Sequence, residues 1–297
     1  MKGRLKSVAA ALFAHLSQER SVKNSVFKDL LIKWVQELSD KFIAVGQNGY
    51  LAIGIGSFNS TMYGYSKTIM TSVVMPVAYV ILALFFVMEL YKASIKVDGA
   101  GGGSSFGAEM VFKVMFRMVL CKVAVDSSLL FMEAIYGVGQ TIVTGIAGVV
   151  SNGAISGGMD IAAITAEINS MGLGDQIGML LELVIVKFGV WVILGLVQII
   201  CIARFVEIYV YVAISPIPIA TFPSDDLNQI AKNFLKGFAA VCLQGAFIYL
   251  ILSFFPILVN ANILGDTSAF GLLLYSLILG LGVFSSGRWA KSICNAM

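Results

Sequence analysis

The sequence predicts an all-α fold, a polytopic transmembrane helical bundle of about five spans with an amphipathic helix near the N-terminus. Three observations carry that prediction. Of the 297 residues, 58% are hydrophobic and only 12% charged, with a mean hydropathy of +0.90, whereas soluble domains carry roughly a quarter charged residues. So little charge does not clothe a water-facing surface. The apolar residues also gather in runs near the roughly 20 residues that a helix needs to cross a bilayer. Finally, Lys and Arg are unevenly shared between the loops that join those runs, as expected when loops alternate between the two sides of a membrane. The formal net charge of +3 is modest and points to no nucleic-acid surface by itself.

The elements follow in order. Residues 1–21, MKGRLKSVAAALFAHLSQERS, pair a basic start with a short apolar stretch, resembling an export segment that His15 and the lack of a clear cleavage site weaken. In FKDLLIKWVQELSDKFIAV (27–45), Phe27, Leu30, Leu31, Trp34, Val35, Leu38, Phe42 and Val45 share one face at 100° per residue, and Asp29, Lys33, Gln36 and Asp40 the other. This is an amphipathic helix that lies on a bilayer or against a partner. A loop is expected over 46–66, so 1–66 forms a non-spanning region and 67–297 the membrane domain.

Five spans are expected, within 72–91, 110–150, 179–214, 236–259 and 270–286. Loop 151–178 holds only Asp160, Glu167 and Asp175 as charges and loop 260–269 only Asp266, while Lys92, Lys96, Lys232, Lys236, Arg288 and Lys291 mark the alternate loops and the tail. This pattern predicts an outside N-terminus and a cytoplasmic C-terminus.

The segment 110–150 carries the charges of greatest interest. Lys122, Asp126, Glu133, Gln140 and Thr144 fall within about 40° of one another on a single helix. Ionisable groups in a bilayer face a bundle interior or a watery cavity. The stripe is therefore either a satisfied Lys122–Asp126 pair at i, i+4 that locks helices together, or the lining of a path or subunit interface. Lys187, Trp191 and Gln198 make a weaker stripe, and Arg204 is expected to pair with Glu207.

Other chemistry is not indicated. Cys121, Cys201, Cys242 and Cys294 have no ligand-like spacing, and His15 has no cluster of partners, so neither a metal nor a cofactor is expected. DGAGGGSSFG (98–107) lacks the GK[ST] ending of a phosphate-binding loop and reads as a linker. With no Ser/His/Asp set or HExxH pair, an enzyme is not expected.

A helix over 179–214 would be about 54 Å long, against a hydrocarbon core of about 30 Å. It either tilts and projects or breaks near Arg204. The following ISPIPIATFPSDD (214–226) is expected to form a rigid cytoplasmic elbow, with Pro216 and Pro218 holding a non-helical path and Asp225, Asp226 and Asn228 capping the next helix.

The stretch ARFVEIYVYVAISPIPIATFPSDDLNQIAKNFLKGFAAVCLQGAFI (203–248) resembles the TrbL family, polytopic membrane subunits of conjugative type IV secretion systems equivalent to the sixth subunit of VirB-type machines. The shared features are a charged helix end, SPIP-ATF at 215–222, a polar turn and an N-F-L-K-G-F-A-A block running to Gln244-Gly245. FMEAIYGVGQTI (131–142) and KVAVDSS (122–128) are also similar, and this form of the signature particularly resembles members on integrative and conjugative elements of Gram-positive bacteria. The resemblance covers about 70–297. It implies a channel or scaffold subunit in the cell membrane, a homo-oligomer working with other secretion subunits, secretion ATPases among them, to move single-stranded DNA with its attached relaxase. The family's N-out, five-span layout agrees with the charge pattern, and it offers no catalytic residues to carry over. A secondary transporter is the alternative, motivated by the intramembrane charges but without a visible internal repeat.

Overall fold

In a computed structural model the described residues are 26, 28–34, 36–37, 51, 53–99, 104–150, 165–166, 170, 172–224, 227–261, 263 and 269–296. They form helices and turns with no strand among them. The helices are α1 (Ser60–Ile69), α2 (Met75–Gly99), α3 (Ser104–Asp126), α4 (Ser128–Val149), α5 (Leu173–Ile214), α6 (Pro216–Ile219), α7 (Asn228–Asn260) and α8 (Ala269–Ile293).

Among the described residues, five stretches are long and apolar enough to cross a membrane: Ser60–Val97, Ser128–Val149, Leu180–Ile214, Asn228–Phe254 and Leu273–Ile293. Each expected span has its counterpart; the third agrees within a residue, the fourth and fifth are shifted by several residues, and the first two differ most in extent. The first helix starts at Ser60, inside the expected loop, because the Asn59 side chain accepts from the Met62 amide at 2.9 Å and caps it. A π-turn, Met70–Val74, joins α1 to α2, and the Met75 amide bonds to the Met70 carbonyl. Pro76 follows at once and has no amide to give, so the wider turn sits where the α-helical ladder is already interrupted.

The segment 110–150 is not one helix. It breaks at Ser127, whose ψ of 12° departs from helical values, and only the second half qualifies as a span. The first half, α3, is interrupted by Glu109, Lys113, Arg117, Lys122 and Asp126. It turns back along α2 to form a helical hairpin. Gly107 allows the close approach: a Cβ there would lie 3.3 Å from Val97. The glycine-rich linker is shorter than expected, since Asp98 and Gly99 belong to α2 and Ser104 to Gly107 to α3.

The chain packs as two compact units. One comprises Met1–Asn48, Asn152–Val197 and Ile251–Leu281; the other comprises Gly49–Ser151, Gln198–Leu250 and Gly282–Met297. In the first, the amphipathic segment is helical at the described positions within 26–37, with Leu31 fully buried and Lys33 exposed. Its Glu37 carboxylate pairs with Lys187 of α5 at 2.7 Å, and the Lys187 ammonium lies 4.7 Å from the Trp34 ring centre. Residues 38–45 of the expected apolar face lie outside the described set.

The second unit holds two apolar clusters. One joins Met70, Met132, Tyr136, Phe205, Val212 and Phe238. The other joins Leu82 and Phe85 of α2 to Met118 and Val125 of α3, closed by Ile219 and Ala220 at the end of α6. At 25 cal/mol per Å², each large side chain fully removed from solvent stabilises by about 1.5–3 kcal/mol, so these clusters fix the second unit's helices.

Candidate functional site

The main feature of the second unit is the crossing of α5 and α7. Arg204 is only 3% exposed, in the middle of the apolar cluster that includes Phe205. Its Nε donates to the Val241 carbonyl at 3.0 Å and its Nη2 to the Cys242 carbonyl at 3.4 Å. Nη1 has no hydrogen-bond partner. The guanidinium carbon lies 5.4 Å from the Phe205 ring centre, and Phe58 stacks on Phe205 with ring centres 4.1 Å apart. A buried cation of this kind costs several kcal/mol unless hydrogen bonds and ring contacts offset the lost hydration.

The space for it is made by glycine. A Cβ on Gly245 would sit 2.1 Å from Arg204 Nη1 and 2.4 Å from its Cζ, well inside van der Waals contact. Two turns away on α7, a Cβ on Gly237 would sit 2.9 Å from the Tyr211 hydroxyl. Arg204 and Tyr211 are two turns apart on α5. The antiparallel helices therefore meet twice, each time with a long polar side chain laid across a glycine. A Cβ on Gly139 of α4 would lie 3.1 Å from the same Cys242 carbonyl that accepts from Arg204. The K-G and Q-G pairs noted in the sequence thus have a physical cause: they are the notches that α5 fills.

The expected Arg204–Glu207 pair does not form. Arg204 turns to the α7 carbonyls, and Glu207 stays exposed. The acceptors on α7 and the notch at Gly245 outcompete a neighbour on the same helix.

The segment 53–59 before α1 was legible only as a loop, but it is pinned into the same core. Tyr136 donates to the Ile53 carbonyl at 2.5 Å and Tyr209 to the Ile55 carbonyl at 2.9 Å. Ser66 donates its hydroxyl to the Tyr209 carbonyl. Deeper in, the Met70 sulfur accepts from Ser128 at 3.9 Å and Ser215 at 3.8 Å.

The polar stripe is divided between helices. Lys122 and Asp126 end α3 and pair at 2.9 Å, with the Lys122 side chain 61% exposed and that of Asp126 38%. Tyr79 of α2 donates to Asp126 at 2.5 Å and places its ring 5.8 Å from the Lys122 ammonium. Glu133, Gln140 and Thr144 lie on α4. Glu133 accepts from Tyr63, and Thr144 donates along its own helix to the Gln140 carbonyl at 3.1 Å. The break at Ser127 is what separates the two groups. The local i, i+4 pair expected from spacing is present.

The elbow also differs from expectation. Ser215 has helical dihedrals, φ −52° and ψ −35°, and Pro216 to Ile219 form one helical turn with Pro216 at its start. Proline is well tolerated there, because a first-turn amide has no partner to lose. The turn is buried, with Pro216, Ile219 and Ala220 all inside and Ile219 and Ala220 packed between α2 and α3. Successive backbone bonds continue the corner: Thr221 to the Pro218 carbonyl at 3.1 Å, Ser224 to Thr221 at 3.2 Å, and Asn228 to Ser224 at 3.0 Å. Asp225 and Asp226 lie outside the described residues.

A comparison with protein families matches the description "TrbL/VirB6 plasmid conjugal transfer like protein" over residues 50–216, more than half of the chain. Comparison with curated proteins and with solved structures gives no match. The matched segment starts just before the pinned turns at 53–59, takes in the polar residues of α3 and α4, and ends at the first proline of α6. With its five membrane-length helices, the chain is a multi-pass membrane protein that belongs to the TrbL/VirB6 conjugal-transfer-like family.

Proposed function

We propose that this chain is an inner scaffold of a conjugative type IV secretion channel, supporting passage of single-stranded DNA with its relaxase across the cell membrane. The observation that carries the reading is the family match over 50–216, because that segment holds the pinned turns, the divided stripe and all of α5. The subunit works beside other secretion subunits and as a homo-oligomer, and its energy comes from partner ATPases. In this reading the N-terminus lies outside and the C-terminus in the cytoplasm.

Within the scaffold, Lys122, Asp126, Glu133, Gln140 and Thr144 supply a polar margin at a subunit boundary or along the path. Tyr79 and Tyr63 hold the two carboxylates of that margin by hydrogen bonds. Such bonds keep both charges directed without neutralising them. Pro216 and Pro218 stiffen the corner between α5 and α7, with Asp225 and Asp226 as its candidate contacts for an ATPase.

Complementation tests the reading. In a donor strain deleted for this chain, Asp126→Leu and Glu133→Leu are expected to reach wild-type membrane levels and yet lower transfer frequency. Wild-type transfer in both would remove the stripe from the mechanism. Labelling with an impermeant thiol reagent, in a background lacking the four native cysteines, is expected to modify a cysteine placed at 156 in intact cells and one placed at 228 only after lysis. The reverse pattern would overturn the orientation.

A further inference from the structure

Beside the α5/α7 crossing, the second unit has a cleft of about 330 Å³ between α5, α7 and α8. Phe284, Gly287, Arg288 and Lys291 of α8 line it, with Glu207 of α5 and Gln244 of α7 opposite. Phe284, Arg288 and Lys291 stand at i, i+4 and i+7, on one helical face. Along that face the lining changes character. Phe284 lies toward the apolar run of the span, Arg288 about 6 Å further along and Lys291 about 10 Å, near the polar end.

Neither basic group has an ion-pair partner among the described residues; Arg288 Nη2 touches only the Ser285 hydroxyl, at 3.1 Å. Glu207 supplies the one carboxylate of the lining. A third cation stands close behind the wall. Val241 lines the cleft, and its carbonyl accepts from Nε of Arg204, the buried cation whose Nη1 is unpartnered. Three cations against one carboxylate, one of them fixed in an apolar core where its field is poorly screened, make the cleft attractive to an anion.

The geometry points to a binding site for an anionic glycerophospholipid of the surrounding bilayer. The phosphate lies between Arg288 and Lys291, within reach of the Gln244 amide. The glycerol and first acyl carbons lie against Phe284, and a hydroxyl-bearing headgroup meets the Glu207 carboxylate. An apolar floor grading into a basic rim at the end of a span suits a lipid better than a nucleic-acid strand, which has no long apolar part to bury. Gly287 keeps the cleft open: a side chain there would enter it and meet Gln244, whose Nε2 lies 3.3 Å from an added Cβ.

The test is native mass spectrometry of the full chain extracted from vesicles containing equal phosphatidylglycerol, phosphatidylethanolamine and phosphatidylcholine. Wild type is expected to retain phosphatidylglycerol preferentially. A basic residue near an anionic headgroup is worth about a fivefold change in affinity, so Arg288→Gln should cut that preference about fivefold and Arg288→Gln with Lys291→Gln should abolish it. Gly287→Leu leaves every charge in place and should remove the bound lipid, with an unchanged thermal midpoint showing that the fold survives. Lys113→Gln makes the same charge change on α3 and should leave the preference intact. Equal retention of all three lipids would overturn the site. An equal loss with Lys113→Gln would reduce it to overall charge. Displacement of the lipid by excess inorganic phosphate would make it a free-anion pocket, and displacement by a single-stranded oligonucleotide a nucleic-acid surface; either result overturns the lipid.

Discussion

The α5/α7 crossing and the α2/α3 hairpin handle charge in opposite ways. At the crossing, one arginine is buried, its acceptors belong to another helix, and its space exists only because residue 245 is glycine. On the hairpin, several charges lie on one helix and pair with near neighbours: Lys113 with Glu109 at 2.7 Å and Lys122 with Asp126 at 2.9 Å, all exposed, with Asp126 also accepting from Tyr79 of α2. A buried charge commits tertiary structure, because removing any supporting atom leaves it uncompensated. Exposed i, i+4 pairs commit almost nothing beyond their own helix. The hairpin's surface is therefore free to vary or to meet a partner, whereas the crossing is not.

The largest expected effect comes from filling the notch. Gly245→Ala places a methyl where Arg204 Nη1 and Cζ now sit, and should cost about 2–4 kcal/mol. The readout is the thermal unfolding midpoint of the purified chain in detergent. Adding Arg204→Met should recover most of that loss, because the offending atoms are gone; simple additivity of the two changes would show that the crossing is not keyed in this way.

Gly237→Ala should be milder, about 1 kcal/mol, because the atom it meets is the terminal hydroxyl of the half-buried Tyr211, at 2.9 Å rather than 2.1 Å. A midpoint shift equal to that of Gly245→Ala would erase the distinction between a buried arginine and a half-buried tyrosine. Between the two regions lies Tyr63→Phe, which deletes the donor to Glu133. A hydrogen bond to a charged group contributes about 1.5–3 kcal/mol when buried, and this one is only partly so, hence an expected loss toward the lower end, read in the same assay.

The smallest effect is expected on the hairpin. Exchanging Lys122 and Asp126, by Lys122→Asp with Asp126→Lys, preserves a local pair and forfeits only the exposed bond from Tyr79, so the midpoint should move by no more than about 1 kcal/mol. A drop comparable to that of Gly245→Ala would mean that the hairpin's charges are as tightly built in as Arg204, and the contrast would collapse.

How much of this was legible in the sequence follows the same division. The five spans were legible because each is a long apolar run, and the Lys122–Asp126 pair because i, i+4 spacing is a local rule. The start at Ser60 was not, since STMYGYSKTI is only weakly apolar and its cap is a single Asn59. The break at Ser127 had a faint signal in the Asp-Ser-Ser triplet, residues that compete with the helix for backbone bonds. SPIP read as a helix stop because proline disfavours the helical region for the residue before it; burial against α2 and α3 holds Ser215 and the prolines in a helical turn all the same. The partner of Arg204 was not legible at all. Glu207 was the nearest candidate along the chain, and the true acceptors, the carbonyls of Val241 and Cys242, carry no side-chain signature.

The Arg204–Gly245 contact also sets an order on sequence change. While the arginine is present, any side chain at 245 meets it, so a single step away from glycine carries the whole cost of that clash. Replacing the arginine first, by a shorter or more pliant apolar residue, opens position 245 to the other amino acids. A lineage can thus lose the cation and then the glycine, but not the glycine and then the cation. Once 245 has acquired a side chain, the arginine returns only after 245 has first reverted to glycine, so the two changes keep a fixed order in both directions.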